Sequence, residues 1–189
     1  MSLRGAILGF LALEPTSGYA LKQRFDGSVG SFWSATQSQI YRELHQLARD
    51  GLVAMEARAQ SGRPDSKHYS LTKRGHEALA AWLDEPLDPL LLRHPLLLKV
   101  VFAAQLPPKQ LDRLLAGYAE GLHERRAEYQ RRLDDPRIFD LARSARERTL
   151  WRLSIEHGLV WCDTELAWIE HTRKQMAKSG LSKRRTERG

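Results

Sequence analysis

The sequence has little of three features that mark particular classes of protein. Cys162 is the only cysteine, so neither an intrachain disulfide nor a cysteine-based metal site is predicted, which favours a reducing cytoplasm. The first apolar run, residues 6–13, is far too short to span a membrane. It ends at Glu14 and Pro15 without a signal-peptide cleavage pattern. We therefore expect a buried helix there, a cytoplasmic protein and no membrane partner.

Motifs for catalysis and for cofactor binding are also missing. The sequence holds no phosphate-binding loop, no dinucleotide-binding glycine pattern and no zinc-protease motif. The seven histidines are scattered without a pattern of acidic partners, and His157 and Cys162 are poorly spaced as a pair of metal ligands. A lone cysteine on an apolar face is usually a small core residue. We predict no enzyme, no cofactor and no metal site.

The positive charge of the chain is unevenly placed. The formal net charge is +7, but residues 178–189 alone hold five Lys or Arg residues against one acidic residue. A short basic tail of this kind is usually solvated, and only sometimes binds nucleic acid. Residues 179–189 are therefore predicted to form a disordered tail, and the high net charge by itself says little about DNA binding.

Residues 34–51 form the most informative stretch, because their pattern predicts a short, well-capped helix. Ser34 and Gln37 have the spacing of a capping box, and Gly51 suits the left-handed conformation that ends a helix. The apolar stripe consists of Ile40, Leu44, Leu47 and Ala48. The opposite face carries Thr36, Ser38, Gln39, Tyr41, Arg42, His45 and Arg49. Such hydrogen-bonding and cationic side chains suit base edges and phosphates, although a solvated helix face is also polar.

Two helices are predicted before this stretch. The first covers residues 2–13, is apolar nearly all round and is stopped by Pro15. Thr16 or Ser17 then caps a second helix over residues 18–26. A glycine- and serine-rich linker leads from this helix to Phe32 and Trp33. We expect these two aromatic side chains to pack on the core and to fix the linker.

After Gly51 the hydrophobic period changes to that of strands. Residues 53–57 alternate between apolar and polar positions, residues 60–66 are rich in turn formers, and residues 67–71 return as a second strand. Thr72 then caps a helix over residues 73–84. The order of helix, helix, helix, hairpin and helix predicts a winged helix-turn-helix domain in residues 1–85, with the hairpin as its wing.

The remainder, residues 86–178, is predicted to be an α-helical dimerisation domain. Helices are expected over residues 95–105, 108–133 and 141–178. The last helix is apolar except for one narrow polar stripe. We therefore expect a second copy of the chain, related by a two-fold axis, to cover its apolar surface. The residues predicted at this interface are Trp151, Ile155, Leu159, Cys162, Leu166 and Ile169. An aromatic effector pocket is a second interpretation for Trp151, Trp161 and Trp168.

At this level of detail the sequence resembles the PadR-like family of transcriptional regulators. The matching segments are Ala6–Leu11, Ser17–Lys22, Phe32–Trp33, Ser38–Tyr41, Asp50–Val53, Gly62–Pro64 and Leu71–Thr72, with the single positions Leu44, Leu47, Lys67, Tyr69 and Gly75. The likeness continues in residues 97–108 and in the tryptophan-rich last helix. The resemblance implies a homodimer that binds a palindromic operator in double-stranded DNA and is often released by a small-molecule effector. Many relatives have proline after the recognition-helix tyrosine, whereas this chain has Arg42.

The predicted DNA contacts fall into three groups. On the recognition helix they are Thr36, Ser38, Gln39, Tyr41 and Arg42, in which Gln suits adenine and Arg suits guanine. On the wing, Arg63 and Lys67 are expected to neutralise phosphates or to enter the minor groove. Tyr19 and Lys22 resemble positions that touch the DNA backbone, but Tyr19 could instead pack beneath Trp33. The alternative function is a winged-helix adaptor that binds proteins and not DNA.

Overall fold

The computed structural model describes residues 2–60, 63–87 and 94–178, and within them it leaves out the side chains of residues 2, 31, 58–60 and 63–66. The predicted tail, residues 179–189, lies outside the described part. The chain divides into two compact units, Met1–Pro89 and Leu90–Gly189. No helix in the described part is both long and apolar enough to cross a membrane.

The first unit is a winged helix-turn-helix domain, as predicted. Its helices are α1 (Ser2–Leu13), α2 (Gly18–Gly27), α3 (Gln37–Arg49) and α4 (Lys73–Asp84). The fully buried core draws on every layer of this unit, including Ile7, Leu21, Phe25, Ile40, Leu44, Leu47 and Tyr69. The apolar stripe of α3 therefore faces inward, which leaves its polar face exposed to solvent.

A three-stranded antiparallel sheet joins these helices in the order β1-β3-β2. The strands are β1 (Thr16–Ser17), β2 (Val53–Gln60) and β3 (Arg63–Leu71). Thr16 lies opposite Tyr69, and Val53 lies opposite Leu71. The sequence did not predict β1, because two residues are too few to show a period. It also placed the start of β3 too late, at Lys67, since Pro64 and its neighbours favour a turn.

The predicted inward alternation of β2 holds only at the base of the wing. Val53 is buried, whereas Met55, two residues farther along the same strand, is 48% exposed. Tyr69 is buried on the neighbouring strand. Only the base of the hairpin covers the helical core, so beyond it both faces of the ribbon meet solvent.

Phe32 and Trp33 do not pack on the core, contrary to the prediction. Their side chains are 62% and 43% exposed, respectively. A 3₁₀ turn, Val29–Ser31, precedes them, and the backbone N–H groups of Phe32 and Trp33 both donate to the carbonyl of Val29, at 3.0 and 2.8 Å. Because backbone hydrogen bonds already fix the end of this linker, the two aromatic rings are left on the surface.

The second unit contains two long helices and one short one. They are α5 (Pro95–Val101), α6 (Pro108–Asp134) and α7 (Ala145–Lys178). Short 3₁₀ turns follow α5 at Ala103–Gln105 and follow α6 at Pro136–Phe139. The second turn delays the start of α7, which was predicted at Leu141, and the Ser144 Oγ accepts the N–H of Glu147 at 3.1 Å to cap the helix.

The core of the second unit lies between α6 and α7. The buried side chains of α6 are Leu115, Leu122 and Tyr129, spaced seven residues apart. The buried side chains of α7 are Ile155, Cys162 and Ile169, with the same spacing. Two helices that pack along such seven-residue stripes form a coiled-coil-like pair. A second copy of the chain is therefore not needed to cover Ile155, Cys162 and Ile169, because α6 covers them.

His94 fixes the beginning of this unit. Its Nδ1 accepts the backbone N–H of Leu97 at 3.2 Å and so caps α5. Because Nδ1 accepts, a neutral ring carries its proton on Nε2, which donates to Oε2 of Glu165 at 3.1 Å. Glu165 lies on α7, so this half-buried pair ties the short helix to the long one.

Candidate nucleic-acid interface

The N-terminus of α3 is held by a capping box that begins two residues later than predicted. Thr36, and not Ser34, is the N-cap residue. Its Oγ1 accepts the N–H of Gln39 at 3.2 Å, while Oε1 of Gln39 accepts the N–H of Thr36 at 2.8 Å. Ser34 and Gln37 have the right spacing, but Ala35 is buried and draws the chain inward before the helix starts. Two predicted DNA contacts, Thr36 and Gln39, thus order the leading turn of the helix.

A cationic stripe runs along the exposed face of α3. It consists of Ser38, Arg42, His45 and Arg49, which are all exposed. Their spacing of four, three and four residues places them on one side of the helix, opposite the buried stripe. The sequence analysis places His45 and Arg49 on this face but does not count them among the predicted DNA contacts. Arg49 also donates to Oε1 of Gln46 at 2.6 Å.

Tyr41 lies on the flank of α3 and not at the centre of its exposed face. Its side chain is half-buried, and its ring lies against Gly18, where α2 begins. An added Cβ at Gly18 would lie 2.6 Å from Cε1 of Tyr41. Tyr41 also lies close enough to Tyr69 to add to burial in raising the pKa of the Tyr69 phenol. The tyrosine therefore positions α2 against α3.

Of the two predicted contacts on α2, Tyr19 is exposed and Lys22 is half-buried, and each bonds to a neighbouring side chain. Tyr19 is 60% exposed and its hydroxyl accepts a hydrogen bond from Nε2 of Gln23 at 3.0 Å. At this exposure Tyr19 is a surface residue, which argues against the alternative that it packs beneath Trp33. Lys22 pairs with Asp26 one turn further along α2. An incoming phosphate would compete with Asp26 for this ammonium group, so Lys22 is a weaker candidate than Arg42.

The opposite end of α3 is anchored to α1. Arg4 donates to the carboxylate of Asp50, the C-cap residue of α3, and lies 3.5 Å from Oε1 of Glu43. Gln46 donates to Oδ1 of Asp50 at 2.8 Å. The Arg4 guanidinium, chiefly through its hydrogen bond, holds the pKa of the Asp50 carboxyl below its ordinary value. Gly51 follows with a φ of 68°, the left-handed conformation predicted for it.

The wing brings one described cation to the interface. Lys67 is exposed on β3, where it pairs with Ala57 of β2. Arg63 begins β3, and its side chain lies outside the described part of the chain. Lys67 is therefore the wing cation whose side chain the structure describes, and it lies on β3, next to β2 with its buried Val53.

The second unit presents an exposed stripe on α7, which we call the outer seam. It consists of Leu150, Leu153, His157, Val160, Thr164, Ala167 and His171, all of them exposed. The spacing alternates between three and four residues, which is the spacing of a coiled-coil contact surface. The outer seam lies opposite the buried Cys162 stripe of the same helix. The helix thus has two faces with this spacing, of which α6 covers one.

The predicted tryptophans belong to the core of the second unit. Trp151, Trp161 and Trp168 are half-buried and pack against its buried cluster, as do Leu159 and Leu166. The guanidinium of Arg125 lies 5.9 Å from the ring centre of Trp161. An open groove between α6 and α7 is lined by charged side chains, including Asp112, Asp163 and Arg173, and by no tryptophan.

Each of the two units matches a known protein family. Residues 7–81 match the transcriptional regulator PadR-like family, and residues 92–177 match the virulence activator alpha C-term family. The chain is 45% identical over 89 residues to a probable transcriptional regulator of Mycobacterium tuberculosis, which is 47% of each chain. It is thus aligned with about half the length of that relative. It is 33% identical over 127 residues to the negative transcriptional regulator PadR of Bacillus subtilis, which covers 66% of this chain and 68% of the relative.

Solved structures with the same fold match this protein over nearly its whole chain. The crystal structure of Bacillus subtilis PadR in complex with operator DNA matches with a TM-score of 0.78 and 26% identity, and the match covers 90% of this chain and 95% of that one. The structure of the same protein with p-coumaric acid matches with a TM-score of 0.76 and 25% identity, over 94% and 99% of the two chains. The fold and the family resemblance predicted from the sequence are confirmed. The chain belongs to the PadR-like family of transcriptional regulators.

Proposed function

We propose that this protein is a homodimeric repressor that binds a palindromic operator through α3 and is released by a small molecule. The observation that carries the proposal is the exposed face of α3, where Ser38, Arg42 and His45 form a continuous stripe without an acidic side chain. Family membership and the relative solved on operator DNA support the same function. A protein adaptor would need an apolar or acidic face at this place.

Arg42 is proposed to read a base, and Lys67 to neutralise a phosphate. Arg42 is one helical turn along α3 from Ser38, in the half of the helix that leads into the major groove in winged helix-turn-helix proteins. A guanidinium presents two donors that match O6 and N7 of guanine. Lys67 has a single ammonium group on the wing, which suits a phosphate.

The two roles are separable by experiment. Arg42→Ala should lower the affinity for the operator by roughly 5- to 150-fold, the range that a bidentate base contact contributes, and leave binding to random duplexes nearly unchanged. Lys67→Ala should weaken binding to both kinds of DNA and reduce the slope of log affinity against log salt by about 0.9. Fluorescence titrations at several salt concentrations measure both effects. Equal losses on both kinds of DNA for Arg42→Ala would remove it from the base contacts.

A second copy of the chain is proposed to pack on the outer seam of α7. This seam has coiled-coil spacing and exposed apolar side chains, with Leu153 at 52% and Val160 at 63% exposure. Self-association through one shared surface gives a two-fold axis, which a palindromic operator requires. The proposed interface therefore differs from the face predicted from the sequence, which is occupied by α6.

A single charge on the seam tests this interface. Val160→Asp should convert the dimer to a monomer in a sizing measurement, because burying an unpaired carboxylate between two helices is costly. Ser154→Asp adds the same charge to an exposed position of α7 beside the seam and should leave the dimer intact. A Val160→Asp variant that remains a dimer would place the interface elsewhere.

The effector is proposed to be a small aromatic acid. This proposal rests on the relative solved with p-coumaric acid. In the described part of this chain, Arg125 beside Trp161 is the place where a cation lies against a tryptophan ring. Addition of p-coumarate should release a labelled operator duplex, whereas cyclohexanecarboxylate, which lacks the aromatic ring, should not. Release by neither compound would remove this class of effector.

A further inference from the structure

Phe32 and Trp33 are exposed aromatic side chains that the packing of the first unit does not explain. The core beneath them is complete without them, since Phe25 is fully buried and Val29 packs against the same cluster. Exposed rings of this size at two consecutive positions are unfavourable in water unless a partner covers them. The hydrogen bonds from Phe32 and Trp33 to the carbonyl of Val29 hold their backbone in place. Phe32 and Trp33 therefore present an exposed apolar patch on a backbone that hydrogen bonds hold in place.

The surroundings of this patch favour a polyanion. No aspartate or glutamate occurs in residues 27–42, which include the linker, the two rings and the leading turns of α3. Of the two acidic residues that flank this stretch, Asp26 pairs with Lys22, and Glu43 lies 3.5 Å from Arg4, which also pairs with Asp50. The only charged side chain within the stretch is the cation Arg42. The stretch itself therefore presents no like charge to a negatively charged partner.

The patch also adjoins the proposed DNA interface along the chain. Trp33 is three residues before Thr36, the N-cap of α3, so their Cα atoms are at most about 11 Å apart. An exposed residue, Ser34, lies between them. DNA that receives the leading turn of α3 would therefore pass close to Phe32 and Trp33.

We propose that Phe32 and Trp33 contact the 5-methyl groups of thymine at the edge of each half-site. This inference rests on the proposed DNA-binding function. In duplex DNA the bases are stacked, so an aromatic ring meets base edges and not base faces. The thymine methyl group is the apolar feature of the major groove, and phenylalanine is among the side chains that contact it. The two rings would make the protein select A·T pairs beside the pairs that Arg42 reads.

Replacement of thymine by deoxyuridine in the operator tests the contact, because it removes only the methyl group. The operator is first obtained by selection from random duplex DNA, and each thymine is then replaced singly. For the native protein we expect one or two positions per half-site at which replacement weakens binding by roughly fourfold, the effect of one buried methyl group. Phe32→Ser with Trp33→Ser should bind the native operator more weakly and lose this sensitivity to deoxyuridine at the same positions.

Controls separate the contact from changes in folding. Phe32→Leu with Trp33→Leu keeps apolar surface and should keep part of the sensitivity to deoxyuridine. Thermal unfolding of all variants should match that of the native chain, because the rings are exposed.

Sensitivity that persists in the serine variant would assign the methyl contact to other residues and overturn the proposal. Binding that is unaffected by deoxyuridine at every thymine would also overturn the proposal. A bend in the operator that disappears in the serine variant would overturn it as well, because such a bend indicates insertion of the rings between base pairs. If selection recovers no operator, the proposed function itself fails.

Discussion

The ring of Tyr41 on α3 lies across Gly18, the first residue of α2. A Cβ at Gly18 would meet the ring at 2.6 Å, closer than non-bonded carbon atoms pack. Gly18 itself is buried, and Ser17 beside it caps α2 by accepting the N–H of Ala20 at 3.2 Å. The two helices of the helix-turn-helix are thus set against each other by one tyrosine and one residue without a side chain.

Gly18→Ala should destabilise the first unit. The added methyl group forces the Tyr41 ring to move, and such overpacking typically costs about 1–3 kcal/mol. Urea unfolding followed by circular dichroism measures the change. Gly9→Ala in α1 is the matched control, since its Cβ meets no atom within 4 Å, and it should be neutral or stabilising by about 0.5–1 kcal/mol. Equal effects of the two substitutions would contradict the contact.

A similar contact holds the second unit together. A Cβ at Gly158 of α7 would lie 2.5 Å from Cζ of Tyr129 on α6. Gly158→Ala should therefore separate the two helices locally and cost about 1–3 kcal/mol. Gly121→Ala on α6, which meets no atom within 4 Å, is the control. Thermal unfolding of both variants should show a lower midpoint for Gly158→Ala alone.

The Arg4–Asp50 pair should stabilise the protein above about pH 4 and not in strong acid. The pKa of Asp50 in the folded chain is lowered, chiefly by the hydrogen bond from Arg4. A carboxyl with a lowered folded pKa contributes stability above its unfolded pKa of about 3.9, and this contribution is lost as the pH falls through the folded value. The difference in unfolding free energy between the native chain and Asp50→Asn, measured in urea, should be present at pH 6 and should shrink as the pH is lowered below about 4. A difference that does not change with pH would rule out the ion pair as its source.

Cys162 should be unreactive in the folded protein. Its thiol is fully buried between α6 and α7, and burial raises its pKa above the ordinary value, so the reactive thiolate is scarce at neutral pH. An aromatic disulfide reagent at pH 7.5 should label it only after urea is added. Rapid labelling of the native chain would show that the packing between α6 and α7 opens readily.

The fold was largely predictable from the sequence because its signals are local. The period of Ile40 and Leu44 identified α3, Thr72 marked the start of α4, and the change of period after Gly51 identified the wing. The two-residue strand β1 was missed, because it is defined only by its pairing with Tyr69, which is distant in sequence.

The candidate site was predictable in part. Hydrophobic period showed which face of α3 is exposed, but the choice of Thr36 over Ser34 as N-cap depends on the burial of Ala35 in the folded domain. The sequence predicts a dimer face on the Cys162 side of α7, and both sides of that helix carry apolar residues. Only the tertiary contact with α6 distinguishes them.

Selection of bound sequences from random duplex DNA, using the full-length protein, tests the central claim most directly. The account predicts enrichment of a palindrome whose half-site centres are about one helical turn, 34–36 Å, apart, because two copies of α3 are related by the two-fold axis of the dimer. Repeating the selection with Arg42→Ala should relax the choice of base at one position in each half-site. Recovery of no shared motif, or of a motif without two-fold symmetry, would contradict the account.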